Sequence, residues 1–196
     1  MAKNLFLTGT KRSGKSTFLK EALFPYRHLL GGYYIQRVSD PETSQISYRI
    51  LDIASDPYYE LNATEPLSSL SSNKGISFSD NIIATTSGNY KGIEMHPAVL
   101  ETRGVQLLEA AQNKSLILMD ELGRIEQHAP RFSETVFTIL RGPIPVIGVL
   151  KKEHNFFLDQ ISLRHAHVIL DLDDLTPESV QKQIKDFLLP ITLHTD

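Results

Sequence analysis

A glycine-rich run near the start of the chain constrains the fold more than any other feature of the sequence. Residues 9–16 are Gly-Thr-Lys-Arg-Ser-Gly-Lys-Ser, which satisfies the pattern G-x-x-x-x-G-K-[ST] of a phosphate-binding loop. The apolar run Asn4–Thr8 before it predicts a buried strand, and Ser16–Phe24 predicts a helix that Pro25 ends. A strand, a glycine turn and a helix in immediate succession predict the start of an α/β fold.

The spacing of this loop has a chemical reason. Its glycines let backbone N–H groups point inward at phosphate oxygens, and the following helix adds its positive N-terminal end. Lys15 can then reach the β- and γ-phosphates, and the Ser16 hydroxyl can bind Mg²⁺. We therefore predict a nucleotide-binding site made of Gly9, Thr10, Lys11, Arg12, Ser13, Gly14, Lys15, Ser16 and Thr17.

A second motif supplies acidic side chains. The apolar run Leu116–Met119 predicts a strand covered on both faces, and Asp120 and Glu121 follow it directly. An apolar strand that ends in an acid is a Walker B element, in which Asp120 would hold Mg²⁺ through water. Glu121 is then the candidate to polarise an attacking water. The alternative is that Glu121 is a carboxylate favoured by the dipole of a helix N-terminus.

The rest of the chain predicts one α/β domain over residues 1–196. Two apolar runs after the first helix, Tyr33–Val38 and Ile46–Ile53, predict a β-hairpin. From Pro97 onward, helical and apolar segments alternate, which predicts a mostly parallel central sheet with helices on both faces. The predicted fold class is a three-layer α/β sandwich of the P-loop NTPase type. The last helix is predicted to begin with Thr176 as its cap and to end at Pro190.

Between these regular parts, residues 57–91 carry only a weak pattern. The stretch 68–80 is rich in serine, so we predict a long irregular segment here. Long loops are often functional, and the segment could be a lid or a surface for a protein partner. A tolerated surface insertion is the alternative.

Composition excludes several classes of function. The formal net charge is −3, which argues against general nucleic-acid binding because that needs a basic face. The chain has no cysteine, so disulfides, thiolate metal sites and cysteine nucleophiles are excluded. No apolar run approaches the roughly 20 residues of a membrane span, and the first residues lack the pattern of a signal peptide. We expect a cytoplasmic protein without membrane contact.

The run Asp120–Glu126, Asp-Glu-Leu-Gly-Arg-Ile-Glu, resembles the signature D-E-I-G-K-M-E of the cancer-related nucleoside-triphosphatase family. Three further segments are similar to that family in the same order: Gly32–Val38, Tyr90–Glu94 and Pro145–Val149. The resemblance runs from about residue 4 to residue 171. It implies Mg²⁺-dependent hydrolysis of nucleoside triphosphates, with ATP or GTP among a broad set of substrates and with slow turnover.

The chain also departs from this family. Lys11 and Arg12 stand where the family has proline or small residues, and Arg124 stands where it has lysine. The family's Asn-Arg pair near the last strand is replaced by the run Asp171–Asp174. These departures affect the prediction of which nucleotide base the site accepts more than the prediction of phosphate chemistry.

Phosphoryl transfer needs a cation besides Lys15 to stabilise the leaving phosphates, and an arginine can supply it. The candidates are Arg12, Arg124, Arg131, Arg141 and Arg164. We favour Arg124, which lies three residues after Glu121, and Arg164, which lies in a predicted loop after a helix that resembles a lid. For each of them the alternative is a solvated surface arginine.

Two other polar clusters carry less weight. His165 and His167 would share one face of a strand, but no carboxylate at ligand spacing accompanies them. Asp171, Asp173 and Asp174 lack the glycine and terminal glutamate of a calcium loop, so a solvated cap region is the better interpretation.

Three functions therefore remain. The first is a Mg²⁺-dependent nucleoside-triphosphatase, with Lys15, Glu121, Arg124 and Arg164 as catalytic residues and Ser16 and Asp120 at the metal. The second is a nucleoside or nucleotide kinase that uses the same loop. A kinase must exclude water, so a water-polarising Glu121 counts against it. The third is a nucleotide-dependent regulatory module for a protein partner, in which hydrolysis serves as a timer.

Overall fold

The computed structural model describes residues 3–55, 59–64, 80–86 and 92–193. The strands in these ranges are β1 (Asn4–Thr8), β2 (Leu30–Ser39), β3 (Ile46–Asp52), β4 (Asn62–Thr64), β5 (Ile82–Thr86), β6 (Ile93–Met95), β7 (Leu116–Leu122), β8 (Val146–Leu150) and β9 (Val168–Asp171). The helices are α1 (Lys15–Leu23), α2 (Pro97–Val99), α3 (Val105–Ala111), α4 (Pro130–Arg141), α5 (Phe156–Gln160) and α6 (Pro177–Thr192). A π-helical turn, Leu100–Gly104, joins α2 to α3, and another, Ile161–His165, follows α5.

These strands form one sheet with the order β6-β5-β3-β2-β7-β8-β1-β9, and β4 pairs with β2 beside this path. Strands β2, β7, β8, β1 and β9 run parallel to one another. Strands β3, β5 and β6 extend the sheet in antiparallel pairing from β2. The predicted mostly parallel α/β sandwich and the predicted hairpin, β2 with β3, are therefore confirmed.

The centre of the sheet is apolar on both faces, as the continuous apolar runs of β7 and β8 require. Helices α3, α4 and α5 cover one face, and α1 and α6 cover the other. Gly32 lets β2 pair closely with β7, because a Cβ there would lie 2.2 Å from the Leu118 carbonyl oxygen. Its φ of 100° is also one that side chains rarely adopt.

Two predictions of local structure are wrong, and a third is tested only in part. Within the weakly patterned segment 57–91, the described residues include β4 and β5, which pair with β2 and β3. Residues 68–79 of the predicted irregular stretch lie outside the described residues. Strand β7 continues through Asp120 and Glu121 to Leu122 instead of ending before them. Helix α6 continues through Pro190 to Thr192, because its last turn buries Ile191 in the core and this burial offsets the lost N–H donor.

Candidate active site

The loop between β1 and α1 has the backbone shape of an anion cradle. Gly9 and Gly14 have φ angles of 145° and 85°, and Arg12 is also left-handed at 70°. A Cβ on Gly9 would lie only 2.9 Å from the Ser13 hydroxyl oxygen, so this first position needs glycine. The Ser13 N–H donates to the Thr10 carbonyl at 3.2 Å and closes the turn.

Lys15 folds back over this loop from the first turn of α1. Its Nζ donates to the carbonyl oxygens of Gly9 at 2.9 Å and Thr10 at 2.8 Å, so the loop itself holds the ammonium group. The side chain is buried, and this burial lowers the pKa of Lys15 against the opposing influence of nearby Glu121. A phosphate that enters the loop can replace the two carbonyl contacts with a charged partner.

Ser16 and Asp120 meet beside the loop. The Ser16 hydroxyl donates to Asp120 Oδ1 at 2.7 Å, and the Tyr59 hydroxyl donates to the other carboxylate oxygen. Burial raises the pKa of Asp120 to about 7, although both hydrogen bonds oppose that rise. A buried carboxylate of this kind gains from a nearby cation.

The donor set at Ser16 and Asp120 fits Mg²⁺, which binds one or two carboxylates or hydroxyls together with substrate phosphates and water. Within the described ranges, no group of three or more histidine, cysteine, aspartate or glutamate side chains could hold a metal. The pair His165 and His167 therefore gains no metal-binding partners there. A magnesium ion at Ser16 and Asp120 would take its remaining ligands from a nucleotide.

Glu121 lies next to Asp120 in β7, and Lys151 follows β8 on the neighbouring strand. Lys151 Nζ lies 2.9 Å from Glu121 Oε1, and both side chains remain partly accessible. Burial alone would lower the pKa of Lys151, but Glu121, Glu126 and Glu153 outweigh it, so the net pKa lies above its usual value. This charged pair lines the same cavity as Lys15 of the loop.

The segment after β7 supports this pair. The Gly123 N–H donates to Glu126 Oε2 at 2.8 Å, and Glu126 is buried. Burial raises the pKa of Glu126 to about 7, against the hydrogen bond from Gly123 and the charge of Lys151. Gly123 also leaves room for Lys151, because a Cβ there would lie 2.6 Å from Lys151 Cδ.

Of the two favoured arginines, only Arg124 reaches the site. It lines the cavity next to the loop and pairs with Glu153 at 3.1 Å, with 59% of its side chain exposed. Arg164 precedes His165, whose carbonyl oxygen accepts a 2.9 Å bond from Asn4. Asn4 is the first residue of β1, whereas the loop follows the last residue of β1. Arg164 therefore lies near the opposite end of this strand from the loop.

Of the other three arginine candidates, one also lies at the cavity and two lie away from it. Arg12 lines the cavity as part of the loop. The carbonyl oxygen of Arg141 accepts a 3.2 Å bond from Lys3, which places it near the same end of β1 as Arg164. The side chain of Arg131 lies 3.9 Å from Glu109 of α3.

The acidic run after β9 contacts the loop. Asp173 accepts from the Thr10 N–H at 2.9 Å and from the Thr10 hydroxyl at 3.0 Å. Lys152 Nζ lies 2.8 Å from Asp171 and 2.9 Å from Asp173. The hydrogen bond from Lys152 lowers the pKa of Asp173, and the hydrogen bond to Asp171 raises the pKa of Lys152. The acidic run is solvated at Asp173 and Asp174, as predicted, but Asp173 also holds the loop through Thr10.

A cavity of about 440 Å³ opens from these residues. Gly9, Thr10, Lys11, Arg12 and Lys15 of the loop form one end of it. Apolar side chains of β2, β3, β5 and β6 form the other end, and Glu121, Glu126, Lys151, Lys152 and Glu153 lie between them. Thr17 of the predicted binding set is exposed on the first turn of α1.

Four polar residues of this site were missed at the sequence level: Tyr59, Lys151, Lys152 and Asp173. A lysine pair directly after the buried strand β8 was the available signal, because side chains at the carboxyl ends of parallel strands meet at one edge. Tyr59 had no such signal, since it lies in the segment with the weakest pattern. In the described part of the chain, every helix is too short or too polar to cross a membrane.

Comparisons with known proteins agree on one kind of protein. A family model described as NTPase matches residues 4–185. Nucleoside-triphosphatase THEP1 of Thermotoga maritima is 26% identical over 192 residues, 94% of each chain. THEP1 of Thermotoga petrophila is 35% identical over 86 residues, 43% of this chain and 48% of the relative, so this match spans about half of the relative. The crystal structure of THEP1 from the hyperthermophile Aquifex aeolicus shares the fold, with a TM-score of 0.64 and 19% identity over 96% of this chain and 98% of that one.

Proposed function

We propose that this chain hydrolyses nucleoside triphosphates to nucleoside diphosphate and phosphate in a Mg²⁺-dependent reaction. The chain belongs to the NTPase family, whose model matches residues 4–185. The resemblance carried by Asp120–Glu126 predicted this family. The observation that carries the proposed mechanism is the meeting of two pairs at the loop: Ser16 with Asp120, and Glu121 with Lys151.

In the proposed reaction, the triphosphate binds the N–H groups of the loop, and Lys15 moves from the Gly9 and Thr10 carbonyls to the β- and γ-phosphates. A bound magnesium ion would neutralise part of the phosphate charge. The oxygen of a water molecule forms a bond to the γ-phosphorus while the bond from phosphorus to the bridging oxygen breaks. Glu121 accepts the proton of this water.

Lys151 supplies the further cation in this proposal, in the role that the sequence suggested for an arginine. Its ammonium group is already held next to Glu121, and the γ-phosphate offers it a second anionic partner. Arg124 is more exposed than Lys151 and is paired with Glu153 instead of Glu121. We therefore propose Lys151 as a catalytic residue and Arg124 as an auxiliary one.

The test is phosphate release from ATP, GTP, CTP and UTP, with and without Mg²⁺, by the wild type and Glu121→Gln. We expect Mg²⁺-dependent release from several nucleotides and a loss of about 10²–10⁴-fold in kcat for the variant, the usual range for a general base. Nucleotide affinity is measured separately by titration and should change little. Unchanged turnover in Glu121→Gln would remove Glu121 from the mechanism.

A further inference from the structure

The cavity is much larger than hydrolysis requires. A water molecule needs roughly 30 Å³, whereas cavities that bind small organic ligands span about 300–1,000 Å³. At about 440 Å³, the cavity lies within the second range. It has room for an organic molecule beside the site of the reacting phosphate.

The cavity is lined by Gly9, Thr10, Lys11, Arg12 and Lys15 of the loop, and also by Glu121 and Lys151. It therefore includes the place where a bound triphosphate would put its γ-phosphate. The nucleophile and the leaving diphosphate lie on opposite sides of the γ-phosphorus in an in-line displacement. Because Glu121 marks the side of the nucleophile, the nucleoside of a bound triphosphate leaves on the other side. The part of the cavity beyond Glu121, along β3, β5 and β6, would then not overlap the nucleoside of that triphosphate.

One wall of this cavity is a row of apolar side chains on the antiparallel part of the sheet. Tyr48 of β3 pairs in register with Ala84 of β5, and Ala84 pairs with Met95 of β6. Ile35 of β2 and Ile93 of β6 also line it. Met95 and Ile93 are 36% and 52% exposed, so this face continues past the helices as an accessible apolar surface.

The chemistry of the row suits a flat aromatic ring. Tyr48 offers an aromatic face, and Met95 offers a polarisable thioether that makes favourable contacts with rings. Ala84, which is small, lies between them and leaves the centre of the row shallow. At the other end of the cavity, Glu121 can accept a proton and Lys151 carries positive charge. A ligand that matches both ends has an aromatic part and a hydroxyl group.

We propose that this cavity binds a nucleoside as a second substrate, with its base on the row Tyr48–Ala84–Met95 and its 5′-hydroxyl at Glu121. The inference rests on the proposed binding of a triphosphate, with the nucleoside hydroxyl in place of water. The hydroxyl oxygen forms the bond to the γ-phosphorus while the bond to the bridging oxygen breaks. The hydroxyl proton goes to Glu121, and the bond electrons leave with the nucleoside diphosphate. The products are a nucleoside monophosphate and a nucleoside diphosphate.

The test uses the full chain with Mg²⁺ and ATP, alone and with adenosine, guanosine, cytidine or uridine. ADP, phosphate and nucleoside monophosphate are measured in the same samples. With at least one nucleoside, we expect ADP to form faster than phosphate, and the excess should equal the monophosphate formed. Equal amounts of ADP and phosphate with every nucleoside would overturn the transfer. Hydrolysis without any nucleoside tests the proposed function separately, so the two failures are distinguishable.

The location is tested by direct titration of the same nucleosides into the protein with Mg²⁺ and ADP bound. Met95→Glu places a charge on the apolar row at an accessible position, and we expect nucleoside affinity to fall at least about tenfold. Leu163→Glu is the control, because Leu163 is 80% exposed in the turn Ile161–His165, at the opposite end of the strands from the loop. Full affinity in Met95→Glu, or no binding by the wild type, would overturn the proposed site.

Discussion

The parallel and antiparallel parts of the sheet bury their side chains to different extents. Strands β7 and β8 have helices on both faces, and their apolar residues are buried. In contrast, β6 is exposed along its whole length, and the row that it forms with β3 and β5 faces the cavity. The charged groups of the site follow the parallel strands, whereas the antiparallel strands supply shape. Phosphate chemistry and the choice of any second ligand can therefore change independently.

The largest difference between the two parts is expected in stability. Phe132 of α4 is fully buried against the centre of the sheet, with its ring 5.8 Å from that of Tyr33. Phe132→Ala should lower the free energy of unfolding by about 3–5 kcal/mol. Met95→Ala, on the partly exposed row, should lower it by less than about 0.5 kcal/mol. Urea unfolding of both variants measures this contrast, and similar losses would show that the row belongs to the core.

The next effect separates two adjacent lysines after β8. Lys151 pairs with Glu121, and Lys152 pairs with Asp171 and Asp173. Lys151→Met should lower kcat by about 10²–10³-fold with a small change in KM, the usual cost of one donor to a transition state.

Lys152→Met is the matched control, and we expect kcat to fall less than tenfold because its partners lie beside the loop. Steady-state phosphate release measures both variants. An equal loss in the two variants would mean that positive charge near the cavity matters and that contact with Glu121 does not.

A third effect concerns the buried carboxyl group at the end of the family signature. Because burial raises the pKa of Glu126 to about 7, the folded chain holds this proton more tightly than the unfolded chain. The protonated Glu126 carboxyl group makes its whole contribution to the free energy of unfolding below about pH 4.5. This contribution declines as the pH rises from about 4.5 to about 7. Glu126→Gln removes this dependence and should be more stable than the wild type by about 3 kcal/mol above pH 8.

Unfolding by urea between about pH 4 and pH 8 checks this prediction. The difference between variant and wild type should be close to zero at the acidic end and should grow with pH. Glu134→Gln, on the exposed side of α4, is the control and should change stability by less than about 0.5 kcal/mol at each pH. A difference that is constant with pH would contradict an uncharged Glu126.

The smallest effect compares arginines at the two ends of the parallel strands. Arg124→Ala should lower kcat by about two- to fivefold, because an exposed ion pair contributes at most about 1 kcal/mol. Arg164→Ala should leave kcat unchanged. Phosphate release under identical conditions measures both, and a large loss in Arg164→Ala would indicate that a second copy of the chain supplies this arginine.

Local pattern was enough for most of the fold. The glycines of the loop, the apolar runs of β1, β7 and β8, and the hairpin of β2 with β3 each carry their signal within a few residues. Strand β5 does not, because it gains its stability from pairing with β3 and β6. Pro190 was misleading for a related reason: the burial of Ile191 outweighs a local preference.

The residues of the candidate site also fall into two groups, those that belong to sequence motifs and those that only the tertiary structure brings together. Ser16 and Asp120 belong to motifs, so the sequence pointed to both of them. The partner of Glu121 is Lys151, which belongs to no motif and becomes adjacent only because β8 lies beside β7. The contact of Tyr59 with Asp120 likewise depends on tertiary structure. Strand order, rather than sequence spacing, therefore decides which cation joins the site.

The contacts at the loop also join distant parts of the chain. Ser16 bonds to a residue 104 positions later, and Thr10 bonds to one 163 positions later. During synthesis, nearly all of these residues must leave the ribosome before the loop has its partners. A nucleotide present at 100 times its Kd would then stabilise completed molecules by about 2.7 kcal/mol and give unfinished ones nothing. The substrate itself would favour the survival of fully folded chains over incomplete ones in the cell.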